Sequence, residues 1–161
     1  MLAVEATKKY LAENPDAKPA EIAELVTNQQ MASALKSQQK VYIFVQAVFT
    51  PNFFKNKEVQ KYAKALVAIT NGNRIMERHL ISALELFCVN KPKNFPVLIK
   101  QLYDEEALDE ETILDWAEEG RSEYTLDAVD EETRALLRGE AEPVVVWLQD
   151  EDSEEEESDD A

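Results

Sequence analysis

Two stretches of the chain set a tryptophan inside a dense field of carboxylates. The first runs from Leu102 to Glu119 and holds Tyr103, Asp104, Glu105, Glu106, Asp109, Glu110, Glu111, Asp115, Trp116, Glu118 and Glu119. The second runs from Ala141 to Asp152 and holds Glu142, Trp147, Asp150 and Glu151. Carboxylates accept hydrogen bonds from ammonium groups. An aromatic face, or its apolar neighbours, takes the cation and the methylenes that carry it. A lysine-rich peptide is the ligand such boxes suit. Trp116 shares a helical stripe with Ile113, and Trp147 sits in an apolar run. Both tryptophans are therefore expected in the core or half-buried, organising the helices that carry the acids.

Enzyme signals are weak, and no cofactor or metal is expected. His79 is the only histidine, and Met76 stands where a di-iron helix needs a glutamate. His79 reads instead as a helix-surface or boundary residue beside Arg78. The lone Cys88 lies roughly 13 Å from it along a straight helix, too far for a catalytic pair, and reads as a small buried group. Gly72, Gly120 and Gly139 are too dispersed to cradle a phosphate. The acidic runs lack the ligand spacing of a calcium-binding loop.

The two halves of the chain carry opposite charge. Residues 1–100 hold 14 Lys/Arg against 8 Asp/Glu, a balance of +6; residues 101–161 hold 3 against 25, a balance of −22. Such segregated fields steer partners and reject wrong ones. Lys57, Lys61 and Lys64 form the converse basic patch, with Lys36, Lys40, Lys55, Arg74 and Arg78 as candidate neighbours. No aromatic-basic interleaving supports nucleic-acid binding. Ser153, followed by Glu154, Glu155 and Glu156, is a candidate site for an acidophilic kinase, whose phosphate would add roughly −1.5 to −2 of charge.

The elements that must position these groups read as helices. At 161 residues with 45% hydrophobic composition and only 3 Gly, the chain fits one domain of long helices. Apolar periodicity predicts helices over 2–13, 19–33, 36–49, 56–70, 74–89 and 94–103. Asn14-Pro15-Asp16, Thr50-Pro51-Asn52 and Asn71-Gly72-Asn73 punctuate them. Asp109 is expected to N-cap a short helix whose stripe is Ile113, Trp116 and Ala117. Another helix is expected over 130–141. Pro143 should kink or restart it, giving a short helix through 144–148. Residues 150–161, almost wholly acidic, are expected to be disordered. No apolar run approaches the roughly 20 residues of a membrane span, and no signal-peptide core is present. These features point to a soluble cytoplasmic protein.

The order and spacing of the boxes resemble those of the W2 domain of eukaryotic translation initiation factor five. The resemblance rests on the run from Leu102-Tyr103-Asp104 through Trp116 and on Ala141-Glu142-Pro143 followed by Trp147-Leu148 and an acidic tail. It implies an all-α, HEAT-like stack of antiparallel helix pairs over residues 1–149 and a disordered acidic C-terminal tail over 150–161. It also implies a monomeric adaptor domain that helps to assemble the preinitiation complex. The boxes would bind lysine-rich segments of the initiation factor two beta subunit. Other surfaces, with Lys57, Lys61 and Lys64 as candidates, would meet initiation factor three through its c subunit, and initiation factor one. Whole factor five also carries an N-terminal GTPase-activating arginine and a zinc ribbon. This chain has neither the length nor the cysteines for them, so GTPase activation is not expected. The alternatives within the family are a guanine-nucleotide exchange domain, as in the factor two B epsilon subunit, and a factor-five mimic regulator.

Overall fold

Turn residues in the sequence mark where the chain reverses. The computed structural model describes residues 2–119 and 122–159, the segment from 151 onward as backbone only. Eight helices are present among the described residues: α1 (Leu2–Glu13), α2 (Pro19–Ala32), α3 (Gln39–Val48), α4 (Glu58–Thr70), α5 (Arg74–Phe87), α6 (Asn94–Asp104), α7 (Glu110–Glu118) and α8 (Glu131–Asp159). Pro19 opens α2, where a missing amide hydrogen costs nothing. Asn73 caps α5 by accepting from the Met76 amide at 3.0 Å. Asn71 and Gly72 make the preceding turn at φ 48° and 68°, in the left-handed region. The fourth helix begins at Glu58 rather than at 56 because Lys57 takes a left-handed φ of 53°. The buried Glu58 carboxylate then accepts from the Thr50 amide at 2.8 Å and its hydroxyl at 2.7 Å. That contact ties the end of the α3–α4 loop back to its start.

Every helix packs on the second one after it: α1 on α3, α2 on α4, α3 on α5, α4 on α6, α5 on α7 and α6 on α8. Neighbours in sequence also touch, notably α1 with α2, α3 with α4 and α7 with α8. Odd-numbered helices therefore form one layer and even-numbered helices the other. This is the stack of antiparallel pairs expected from the resemblance. A single apolar core runs between the layers, from Ala3 and Val26 through Phe44, Leu66, Leu84 and Leu102 to Leu148.

Pro143 does not restart a helix: the short helix expected through 144–148 is part of α8, which runs on through the proline. A mid-helix proline costs about 3 kcal/mol through its lost bond and its clash with the carbonyl four residues back. Leu137, Ala141, Val145 and Leu148 form one buried stripe across it. Burying Val145 and Leu148 recovers roughly 1.5–3 kcal/mol each, enough to hold the helix continuous. The carbonyl that loses its donor belongs to Gly139, around which nothing lies within 4 Å of a built Cβ. For the tail, the described backbone says only that α8 extends to Asp159. The side chains of Glu151 and Ser153 lie outside the described residues.

Candidate acidic-aromatic docking site

The first box is the end of α6, the loop that follows it, and α7. Asp109 N-caps α7 as expected, accepting from the Glu111 amide. Glu110 and Glu111 in the first turn meet the positive end of the helix. Between the helices, Glu106 takes a left-handed φ of 66°. That turn reverses the chain within two residues of Asp104 and leaves Asp104, Glu105 and Glu106 exposed.

Trp116 is only 3% exposed. Its ring packs on Phe95 at 5.2 Å, and the Arg134 guanidinium lies 5.3 Å from its centroid. It is a core anchor, and a ligand has no access to its face. Trp147, on α8, is half-buried and takes the edge of Tyr103 at 5.7 Å. Through this pair the two boxes, some forty residues apart in sequence, form one surface. Lys100 completes it: its ammonium lies 4.5 Å from the Trp147 centroid and pairs with Asp104 at 2.8 Å.

The candidate acids divide by what holds them. Glu111 pairs with Arg74, Glu119 with Arg78, Glu142 with Arg138, and Asp104 with Lys100. The Arg78 guanidinium, hydrogen-bonded to Glu119, holds that carboxyl below its ordinary range. Glu105, Glu106 and Glu118 are exposed, and no ion pair holds them among the described residues. Asp150 is exposed, while Glu110 and Asp115 are half-buried. A cleft of about 570 Å³ opens beside the box, lined by Gly72, Glu77, Tyr103, Asp104, Glu106, Leu108, Asp109 and Glu110. Glu77 sits at its wall, and burial pushes its carboxyl up from the ordinary value. It accepts from the Asp109 amide at 2.6 Å, fixing the start of α7 against α5.

The basic patch is smaller than the sequence allowed. Lys57, Lys61 and Lys64 are all exposed along the start and middle of α4. Arg74 and Arg78 do not join them, because both are drawn to acids of the first box. Lys64 itself borders a crevice with Asp104, Glu105 and Glu106, where the two fields meet. His79 is a boundary residue, 3.2 Å from the Tyr42 hydroxyl and packed edge-on to Tyr124. Cys88 is buried, and burial pushes its thiol up to about 12.

Three residues that shape the site are not among the sequence-based candidates: Lys100, Glu85 and Arg134. The four-residue spacing of Lys100 and Asp104 was a readable signal. Glu85 and Arg134 had none, since their 4.0 Å approach joins α5 to α8.

The family model described as W2, eIF4-gamma/eIF5/eIF2-epsilon, matches residues 76–158, just over half of the chain. The chain belongs to the W2 family. As a W2 domain it is 29% identical over 110 residues to eukaryotic translation initiation factor 5 of Pongo abelii, covering 64% of this chain and 25% of that protein. It is 38% identical over 104 residues to the Zea mays factor 5, covering 62% of this chain and 21% of that one. The W2 domain thus spans about a quarter of the length of the relatives it matches. Its fold superposes on the C-terminal domain of translation initiation factor 5 at low pH with a TM-score of 0.72 at 19% identity, covering 98% of this chain and 96% of that one. The HEAT-like fold and the character of a translation initiation factor domain follow. No helix among the described residues is long and apolar enough to cross a membrane.

Proposed function

We propose that this W2 domain is a cytoplasmic adaptor in translation initiation, whose acidic-aromatic surface binds lysine-rich segments of the initiation factor two beta subunit. The observation that carries the reading is the Tyr103–Trp147 contact, which fuses two acidic boxes into one face. Glu105, Glu106 and Glu118 stand exposed on the first box, and no ion pair holds them among the described residues. An exposed field of one sign accelerates encounter with the opposite sign, and its effect falls with salt. The basic face of Lys57, Lys61 and Lys64 is the second contact of the adaptor, toward the c subunit of initiation factor three and toward initiation factor one. On this reading the domain brings factors together and catalyses no reaction. Ser153 is its candidate phosphosite.

Titration of the domain with a lysine-rich segment of the beta subunit tests this. The triple variant Glu105→Lys, Glu106→Lys, Glu118→Lys should lose binding while keeping its helical circular dichroism. Undiminished affinity of that variant at low salt would defeat the reading.

The family model also spans eIF2-epsilon, which keeps nucleotide exchange as a second reading. Release of labelled GDP from initiation factor two separates them: the adaptor leaves the rate at that of buffer, and an exchange domain raises it.

A further inference from the structure

We propose that Lys100 occupies, from within the domain, a seat that a partner lysine takes on binding: the open face of Trp147 together with the Asp104 carboxylate. The inference rests on the adaptor reading above and says where one ligand lysine goes. Recognition of a lysine side chain needs a carboxylate for the ammonium and an aromatic face for the cation and its methylenes. Both are assembled at this point of the surface, and a lysine already fills them. The Lys100 ammonium donates to Asp104 Oδ1 at 3.0 Å and Oδ2 at 2.8 Å while lying 4.5 Å from the Trp147 centroid. Tyr103 meets the Trp147 ring edge-on at 5.7 Å, so the indole is held in place whether or not a cation sits on it.

The seat is open to exchange. The Lys100 and Asp104 side chains are 41% and 49% exposed, and Trp147 is half-buried rather than enclosed. Exposed ion pairs and exposed cation–π contacts are each weak, so a lysine from outside can replace Lys100 at little cost. Lys100 also has a reason to stay in the absence of a partner. Asp104 closes α6 at the negative end of its dipole and is followed directly by Glu105 and Glu106. Lys100, one turn before that end and paired with Asp104, offsets the accumulated negative charge. Lys100 therefore acts as a placeholder that sets the affinity of the seat by competing for it.

The test uses the whole chain and an oligolysine peptide. Lys100→Met keeps the methylenes and removes the charge. It should bind oligolysine roughly three- to tenfold tighter than wild type, the size of one weak pair and one weak cation–π contact released. Lys93→Met, at the exposed start of the same helix, makes the same change in net charge away from Trp147. It should alter affinity less than about twofold, since long-range charge is screened. Oligolysine should also shift the indole N–H resonance of Trp147, in wild type and in Lys100→Met, and leave that of the buried Trp116 in place. Equal gains in the two methionine variants, or an unmoved Trp147 resonance, overturn the proposal while wild-type binding leaves the adaptor reading standing. Failure of both wild type and Lys100→Met to bind at low salt removes both.

Discussion

Arg134 reaches from α8 to the far end of α7 and donates to the Trp116 carbonyl at 3.1 Å, with its guanidinium 5.3 Å from that residue's own ring. The same side chain donates to the Glu119 carbonyl at 2.9 Å, and Arg138, one turn on, donates to the Ala117 carbonyl at 2.8 Å. A helix leaves its last carbonyls without intrahelical donors, and its C-terminus favours cations. Two arginines of α8 supply both needs of α7. The acidic half has only three basic residues, and two of them do this work.

Arg134→Met should therefore cost about 3 kcal/mol, since it strands buried carbonyls and leaves Glu85 without its facing cation. Arg138→Met, whose side chain is 31% exposed, should cost about 1 kcal/mol. Lysine at 134 lacks the planar guanidinium that lies by the Trp116 ring and the Nε that faces Glu85, and should recover only part of the loss. Urea denaturation of the three variants measures this ordering.

Glu85 is 2% exposed, and burial pushes its carboxyl up to about 7 although Arg134 and Arg78 pull it down. The folded value lies above the unfolded one, so its contribution to stability is complete below the ordinary carboxylate range and is lost as pH rises through about 7. Glu85→Gln keeps the neutral form at every pH. The variant should match wild type near pH 5 and exceed it by on the order of 2 kcal/mol at pH 8. Thermal melts of both proteins across that range check the sign. A wild type that gains on the glutamine variant with rising pH would show that the arginines outweigh burial.

The two tryptophans should behave differently. Trp116→Ala removes a fully packed ring and should cost about 3–5 kcal/mol, a large fraction of the roughly 5–15 kcal/mol that holds a domain folded. Trp147→Ala removes a half-buried ring and should cost about 1–2 kcal/mol, leaving a folded protein with weakened oligolysine binding. Denaturation and titration of the same samples separate the roles.

The acids should sort by their partners. Glu105→Lys with Glu106→Lys touches no ion pair among the described residues and should lower peptide affinity with little change in melting temperature. Glu119→Lys strips the buried Arg78 of its carboxylate and should lower both.

Gly139 lies within α8 with open space where a Cβ would stand. Gly139→Ala should stabilise by roughly 0.5–1 kcal/mol through the unfolded chain and helix propensity. A loss instead would mean that the Pro143 turn uses the freedom of glycine, and differential scanning calorimetry decides.

Local chemistry was enough to read much of this protein. Seven helices follow apolar stripes whose ends coincide with Pro19, Asn73 and Asp109, because caps and turns act over a few residues. The boxes were legible for the same reason: charge density and aromatic spacing are properties of the chain itself. Both tryptophans were expected in the core or half-buried, and both are; that Trp116 is the buried one and Trp147 the half-buried one was not readable from the chain.

What the sequence could not hold was distance across the fold. It left the fate of Pro143 open, because the stripe from Leu137 to Leu148 gains its energy only against α6 and α7. It grouped Arg74 and Arg78 with the lysines, yet the stacking of α5 on α7 gives them to Glu111 and Glu119. The pairing of each helix with the second one after it brings Tyr103 to Trp147 and Glu85 to Arg134. Side-chain type and helical period fix each face of each helix. Which faces meet, and so which charges stay free for a partner, is settled by burial of the shared core, a sum over the whole chain that no local window contains.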